Sequence, residues 1–294
     1  MKITTMNIFP VVYIEPFFDA DTATVTYVVS DPSTNCCAII DSVRDYDMNA
    51  GRVTTRSADK LIEYVTNNKL KVEWILETHI HADHLTAANY LQEKLGGKTG
   101  IGANIKAVLS YWIPVFNTSA DTPVDGSQFD VLFADGDHFK IGNLDVKVIH
   151  TPGHTPACVS YHINNSVFVG DLIFMPYVGT ARTDFPGGSA QTSYRSIQKI
   201  LSLPDDTHIF SCHDYPPSGQ PPAWESTVAE QKQKNIMLQV STEEEFVASR
   251  NKKDVGKAVP KLLLPSIQVN MRAGKLGAAE NNGKQYIKIP LDVA

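Results

Sequence analysis

The sequence predicts an α/β (α+β) protein whose functional side chains gather along one edge of its β-structure. Strand-like segments come first, and helical spacing then alternates with short apolar strands. Four separate strands also end on side chains that can bind a metal. One shared sheet edge explains all four positions at once, whereas chance would have to place each of them independently. The strand ends carry residues 79–84, His154, Asp171 and His213.

The first 95 residues predict strands followed by alternating helix and strand. β-Branched and apolar residues at 24–30 and 37–40 flank the turn-forming residues 31–35, which indicates a hairpin. Helical spacing at 57–67 leads into the apolar run 72–76, which is predicted to be a buried strand.

Residues 96–130 are harder to assign. Their Gly-rich start, the aromatic run 111–116 and the polar segment 117–128 favour an excursion over a site, because ordered loops of this length are usually functional. A helix followed by a disordered link is the alternative.

The rest of the chain predicts one domain over residues 1–240 and an extension over residues 241–294. The extension has too little apolar content to bury a core of its own, so we expect it to pack on the same body. The predicted elements are strands at 139–142, 144–149, 159–163, 167–169 and 208–211, helices at 193–203, 224–239 and 242–250, and strand-like pieces at 262–265 and 286–289.

Composition excludes several classes of protein. The chain has 294 residues, 43% of them hydrophobic and 20% charged, as expected for a soluble globular protein. A formal charge of -6 and a pI near 5.8 argue against nucleic acid as a partner, because phosphate binding needs a basic surface. No segment reaches the roughly 20 apolar residues of a membrane span. Met1 to Pro10 lacks the features of a signal peptide.

The four cysteines are too few and too irregularly placed for a disulfide framework, so a reducing cytoplasm is the expected location. Adjacent Cys36 and Cys37 are expected to face opposite sides of a strand and to pack as small apolar residues. Cys158 and Cys212 are also predicted to be packing residues, because neither has an activating arrangement nearby.

The segment His79-Ile80-His81-Ala82-Asp83-His84 is a ligand cluster, with three imidazoles and a carboxylate in six residues. Clustered His and Asp side chains usually indicate a metal site or catalysis. Asp83 with Thr86 is predicted to cap a helix over 85–95. The positive end of that helix dipole would then favour ionised Asp83 and neutral His84, which are the forms that bind metal.

These residues resemble the metallo-β-lactamase-fold superfamily, whose HxHxDH signature is matched by residues 79–84. The match continues in order through His154, Asp171 and His213. The resemblance covers about residues 20–240 and implies a four-layered αββα sandwich with metal at one edge of two sheets. It therefore makes residues 1–240 a metallo-β-lactamase-like catalytic domain.

Within the superfamily, three segments resemble the persulfide dioxygenases, with the hydroxyacylglutathione hydrolases (glyoxalase II) as the nearest neighbours. The resemblance implies one iron(II) held by His79, His154 and Asp171 and a glutathione persulfide substrate. Two imidazoles and one carboxylate leave three positions for water, thiolate and dioxygen. The three segments are 151–158, 181–185 and 212–215.

The full set of seven ligands leaves an alternative open. His81, Asp83, His84 and His213 could form a second metal site, or they could orient the ligands of the first. Two zinc ions bridged by Asp171 would activate water for thioester hydrolysis. The tail beyond residue 240 replaces the helical glutathione-binding domain of the hydrolases, which weakens this reading. The zinc-site cysteine of many β-lactam hydrolases has no counterpart.

The sequence also predicts contacts around the metal. Arg182 is predicted to anchor a substrate carboxylate, and Thr183 and Tyr215 are predicted to contact substrate. Asp184 and Asp214 are predicted to orient a ligand or bound water. The expected partners are a glutathione-like thiol or persulfide and O2, with a homodimer left open and no nucleic acid or membrane.

Overall fold

The computed structural model describes residues 11–291 and contains two six-stranded β-sheets. Met1 to Pro10, for which no signal peptide is predicted, lies outside the described residues. Among residues 11–291, no helix is both long and apolar enough to cross a membrane.

The strands are β1 Tyr13–Asp19, β2 Thr24–Asp31, β3 Cys36–Ile40, β4 Val43–Arg44, β5 Tyr46–Asp47, β6 Arg52–Val53, β7 Lys71–Leu76, β8 Leu85–Thr86, β9 Lys98–Gly102, β10 Val131–Phe133, β11 His138–Ile141, β12 Leu144–His150, β13 Val159–Ile163, β14 Ser166–Phe168, β15 His208–Phe210 and β16 Glu225–Thr227. The helices are α1 Arg56–Asn67, α2 Ala88–Leu95, α3 Ile105–Phe116, α4 Ala190–Leu201, α5 Val228–Lys234, α6 Glu243–Asp254 and α7 Leu263–Asn270.

The first sheet has the strand order β1-β2-β3-β7-β9-β10. β1, β2 and β3 pair antiparallel, and β3, β7, β9 and β10 pair parallel. β2 and β3 are buried along their whole length, because parallel and central strands are covered on both faces. On the outer face, Leu61 and Val65 of α1 and Leu91 of α2 pack against Cys37 and Ile39.

The second sheet has the strand order β11-β12-β13-β14-β15-β16. Its pairs are antiparallel except β14 and β15, which are parallel and joined through α4. A parallel pair needs such a crossover helix. Ile197 and Ile200 of α4 pack against Val167 and Ile209 on the outer face of this sheet.

The inner faces of the two sheets share one core, in which Tyr27 and Val29 of the first sheet meet Val148, Tyr161 and Phe168 of the second. Two buried tyrosines also connect the sheets by hydrogen bonds, because a buried hydroxyl needs a partner. Tyr27 donates to the carbonyl of Ser211 (2.5 Å) and Tyr161 donates to that of Glu77 (2.9 Å). The layers are therefore helix, sheet, sheet and helix, and the predicted αββα sandwich is confirmed.

The excursion predicted for residues 96–130 is wrong. This segment contains β9, an interior strand of the first sheet, and α3, which buries Trp112 and Phe116. The glycines of β9 make this strand hard to recognise from the sequence, because glycine has a low strand propensity. A β-carbon on Gly100 would lie 2.6 Å from the Phe133 ring, and one on Gly102 would lie 2.6 Å from Val159. Close packing therefore requires glycine at positions where strand propensity would favour a branched side chain.

Several element types near the C-terminus also differ from the prediction. The helix predicted over 224–239 begins as strand β16 and continues as α5. The strand predicted at 262–265 is the start of α7, and residues 286–289 form no strand. α6 is longer than the predicted 242–250 and buries Phe246 in the cluster that also holds Ile197. The extension therefore contacts the rest of the chain, while the domain boundary at residue 240 stays a prediction.

Candidate metal centre

The ligand cluster 79–84 lies in a loop between β7 and the short strand β8, which pairs with β4. The predicted helix cap is present only in part: Thr86 Oγ1 accepts from the N–H of Ala88, the first residue of α2 (3.0 Å), whereas Asp83 lies five residues before that helix begins. The helix-dipole argument therefore does not apply to Asp83 and His84. Burial, followed by the charge of His81, lowers the pKa of His84 to about 3 and keeps it neutral.

Four of the five histidines at the site are oriented in the same way. In each, Nδ1 donates a hydrogen bond to an oxygen, which fixes the tautomer and leaves the Nε2 lone pair for a metal. Thr78 can accept from His79 because its own hydroxyl proton is donated to Asp41. The Nδ1 contacts are His79 to Thr78 Oγ1 (3.0 Å), His84 to Leu85 O (3.2 Å), His154 to Arg182 O (2.8 Å) and His213 to Ala23 O (3.2 Å).

His81 is oriented the opposite way round. Its Nε2 donates to Asp41 (3.0 Å) and lies 3.2 Å from Glu77 Oε2. Its Nδ1 is buried without a hydrogen-bond partner among residues 11–291, so this atom is the one available to a metal. Burial lowers the pKa of His81, but Asp41 and Glu77 outweigh burial and raise it well above the ordinary value, so a metal that binds Nδ1 must displace a proton. Sequence reasoning missed both carboxylates, although Glu77 lies four residues before His81.

The structure brings all seven predicted ligand residues together. The ligand atoms of His79, His154 and Asp171 lie within 4.8 Å of one another, as do those of His81, Asp83 and His84. Asp171 connects the first group to His213, since its Oδ2 is 3.6 Å from His154 Nε2 and its Oδ1 is 3.3 Å from His213 Nε2. His213 Nε2 is also 3.1 Å from Asp83 Oδ2.

These residues fit a metal. Within residues 11–291, His84 Nε2, His213 Nε2 and Asp171 Oδ1 are buried and have no hydrogen-bond partner. Such orphaned atoms cost free energy unless something binds them. Burial and neighbouring histidines lower the pKa of His79 well below its ordinary value, so its ring is neutral and can ligate. Imidazole and carboxylate together suit iron or zinc.

Two glycines that precede ligand residues allow the backbone to pack closely on a neighbouring element. Gly170, before Asp171, has φ +52°, and a β-carbon there would collide with the side chain of Thr78. Gly153, before His154, has φ +148° and packs against the backbone of Ser193. Both positions require a glycine, because the left-handed region and the missing side chain are needed together.

A cavity of about 550 Å³ opens onto this centre, with Asp83, His154 and Asp171 among its lining residues. The sequence prediction missed most of its basic wall. Lys253, Lys257 and Lys261 line it together with Arg182. The regular spacing of the three lysines, four residues apart, could have indicated a shared surface. Only the fold shows that this surface lies beside the metal centre.

Arg182 lines the cavity, but its guanidinium is already paired. It donates to both carboxylate oxygens of Asp184 (2.6 and 2.7 Å) and to the carbonyl of Ala258 (2.8 Å). It also lies over the ring of Phe185, whose edge meets His154. The predicted substrate contact of Arg182 thus stays a prediction. Asp184 holds Arg182 and contacts no candidate ligand directly.

Thr183 is bound to α6, and its predicted contact with substrate stays a prediction. Its backbone N–H (2.9 Å) and its hydroxyl (3.3 Å) both donate to Asp254. Asp254 forms a buried pair with Arg250, which is 0% exposed and also donates to the carbonyl of Thr180 (2.8 Å). This pair, at i and i+4 on α6, fixes the segment 180–184 that orients His154. Sequence reasoning missed it.

Asp214 and Tyr215 have different roles. Asp214 is buried, and it accepts from the Tyr177 hydroxyl (2.8 Å) and from the N–H of Ala223 (2.7 Å). It therefore orders the surrounding loops, and its predicted effect on a ligand could act only through the adjacent His213. The ring of Tyr215 stacks on His213 with centroids 6.1 Å apart, and it lines the cavity.

The cysteines show no sign of activation. All four are buried free thiols, and Cys36 and Cys37 pack in different core clusters, as predicted. Burial raises the pKa of Cys158 to about 12. It also raises that of Cys212 well above its ordinary value. Both thiols are therefore protonated and unsuited to act as nucleophiles.

Two relatives are each 52% identical to this chain. The Beta-lactamase hydrolase-like protein of Agrobacterium fabrum matches 96% of this chain, which spans 65% of that longer protein. Glyoxylase B2 of Dictyostelium discoideum matches 95% of this chain and 97% of its own length.

A more distant relative is the mitochondrial persulfide dioxygenase ETHE1 of Homo sapiens, 29% identical over 90% of this chain and 89% of its own. The crystal structure of ETHE1 from Myxococcus xanthus superimposes with a TM-score of 0.72 at 26% identity, covering 90% of this chain and all of the other. The family model of the metallo-beta-lactamase superfamily matches residues 20–213. With the αββα fold and the gathered ligand set, these matches establish that the chain belongs to the metallo-β-lactamase superfamily.

Proposed function

We propose that this protein is an iron-dependent persulfide dioxygenase, which oxidises glutathione persulfide or a similar low-molecular-weight persulfide to sulfite. The observation that carries the proposal is the grouping of His79, His154 and Asp171, whose ligand atoms lie within 4.8 Å of one another beside an open cavity. Two imidazoles and one carboxylate with open positions are typical of non-haem iron oxygenases. The relationship to a persulfide dioxygenase over 90% of this chain supports the same function.

The overall reaction would consume one persulfide, one O2 and one water, and would release the thiol, sulfite and two protons. Iron held by His79, His154 and Asp171 would supply a site at which the persulfide sulfur and O2 meet. The protein supplies orientation and shape. The Arg182 carbonyl fixes the ring of His154, and Phe185 packs an edge against it. Phe174 and Tyr215 give the cavity an apolar wall.

The second candidate is a dinuclear zinc hydrolase of glutathione thioesters. The observation that favours it is the second group of His81, Asp83 and His84, with His213 Nε2 close to both Asp83 and Asp171. A 52% identical relative named Glyoxylase B2 points the same way. In that enzyme the two groups of ligands would hold two zinc ions, and the metals would supply an activated water for hydrolysis of the thioester.

Metal content and activity of matched variants separate the two functions. Under the iron proposal, the isolated protein holds one iron per chain and takes up O2 with glutathione persulfide. His154→Ala should then empty the site, whereas Asp83→Ala should keep most of the iron and lose roughly 10–100-fold in activity.

A dinuclear zinc enzyme would instead contain two zinc ions and cleave a glutathione thioester. Asp83→Ala would remove about half of its metal and largely stop hydrolysis. Equal loss of metal from both variants would overturn the mononuclear iron assignment.

A further inference from the structure

We propose that Lys253, Lys257 and Lys261 form a carboxylate-binding wall that selects acidic thiol derivatives, of the glutathione type, over neutral ones. This inference rests on the proposed function in so far as the substrate enters the same cavity. All three lysines line that cavity. They come from the extension over residues 241–294, which the sequence predicts only as a packed appendage.

The first step concerns which cations in the cavity are unpaired. Arg182 forms a bidentate ion pair with Asp184, so its charge is largely balanced. Among residues 11–291, neither Lys253 nor Lys261 has a carboxylate within 4.0 Å; Lys253 makes one hydrogen bond, to the carbonyl of Val178 (3.2 Å). An ammonium group has three donors, so at least two on Lys253 are free for a ligand.

Lys257 is the intermediate case. Its Nζ lies 3.6 Å from Asp254 Oδ1. Asp254, however, is already bound through both oxygens by Arg250, at 2.5 and 3.0 Å. One carboxylate therefore faces two cations here, which leaves a net positive charge beside the cavity. Partial burial, followed by the charge of Arg250, lowers the pKa of both Lys253 and Lys257 from its ordinary value.

The acidic residues of the cavity do not cancel this wall. Asp83 and Asp171 belong to the metal centre, where bound cations would neutralise them. Asp21 lies at the rim with its side chain 81% exposed, 3.7 Å from Arg56. The cavity therefore has a metal centre on one side and uncompensated ammonium groups on another. A ligand that fits both has a soft sulfur at one end and carboxylates at the other.

Binding of two forms of one probe tests the proposal without turnover. The probes are S-methylglutathione and its diethyl ester, which differ only in the two carboxylates, titrated calorimetrically into the purified protein. Wild type should prefer the acid. Lys253→Gln/Lys261→Gln should weaken binding of the acid by roughly five- to tenfold and leave the ester unchanged, because each partly exposed ion pair contributes a few-fold. Added salt should reduce the preference in wild type.

The matched control is Lys252→Gln/Lys275→Gln, which removes the same charge at two exposed lysines outside the cavity. This variant should bind both probes like wild type. Equal affinity of wild type for acid and ester, binding of neither, or an equal loss in the control would overturn the proposal. Neither probe reacts, so the binding results can be interpreted even if the protein shows no dioxygenase activity. For an active protein, the lysine variant should raise KM for the acidic substrate more than it lowers kcat.

Discussion

The two sides of the metal centre are held by different kinds of structure. On the side of the loop 79–84, the partners that fix the histidines are close in sequence or belong to the first sheet, as Thr78, Leu85 and Asp41 show. On the other side, His154 is fixed by the carbonyl of Arg182, and that segment is held in turn by α6. The loop side can therefore be weakened by a local change, whereas the His154 side depends on a distant helix.

The largest effect should come from breaking the α6 side. Arg250→Met leaves the buried Asp254 with only the looser contact to Lys257 (3.6 Å) and frees the Thr180 carbonyl, so we expect a loss of about 3 kcal/mol in the free energy of unfolding. Metal affinity should fall as well, because the segment that orients His154 loosens. Urea unfolding and metal titration measure the two effects.

A second variant keeps this prediction testable if the first folds poorly. Arg250→Met/Asp254→Leu removes both charges, and it should regain part of the lost stability because no unpaired charge stays buried. Its metal affinity should remain low, since Thr183 has still lost its anchor. Wild-type metal affinity in a stably folded double variant would show that α6 does not position His154.

On the loop side, Asp41→Asn should act on the metal and less on the fold. Asp41 accepts from His81 Nε2 and from both the N–H and the hydroxyl of Thr78. An amide cannot reproduce all three acceptor contacts, so we expect metal affinity to fall roughly 10–100-fold. Asp31→Asn is the matched control, because this equally buried acid accepts from the N–H of Asn143 and contacts no candidate ligand. A similar loss of affinity in the control would contradict the assigned role of Asp41.

The same contrast explains how much the sequence could predict. The ligands at 79–84, His154, Asp171 and His213 were predictable because each follows a strand with a local apolar pattern. The orientation of His81 by Asp41 was not, because the pair is 40 residues apart and meets only when β3 and β7 lie side by side.

The lysines that line the cavity could not be predicted for the same reason: their position depends on contacts between distant parts of the chain. Lys253 and Lys261 belong to a polar segment with no strand or motif, and only the packing of α6 on α4 and of α7 beside α3 carries them to the cavity. The strand β9 was missed for a related reason, since the space around Gly100 and Gly102 is set by other strands. Local sequence patterns thus predict the candidate metal ligands, whereas tertiary contacts determine their hydrogen-bond partners and the residues that line the cavity.

The smallest effect is expected at the end of the sandwich opposite the metal. Burial raises the pKa of Asp31, but hydrogen bonds from the backbone of Asn143 and from Ser33 and Thr34 outweigh it and lower the pKa from 3.8 to about 2. The carboxylate joins the β2–β3 turn to the β11–β12 turn, with Asn143 N–H at 2.7 Å. Because the folded pKa is depressed, this stabilisation is complete above about pH 4 and is lost as pH falls towards 2.

Asp31→Asn should therefore lower the free energy of unfolding by roughly 1–2 kcal/mol at pH 7, since hydrogen bonds to a charged acceptor are replaced by weaker ones. The difference from wild type should shrink as denaturant unfolding is repeated at pH values approaching 2. Metal content at pH 7 should stay at the wild-type level, because Asp31 contacts neither the loop 79–84 nor α6. A difference that persists unchanged at low pH would show that the carboxylate charge is not its source, and loss of metal would show that the two ends of the sandwich are coupled.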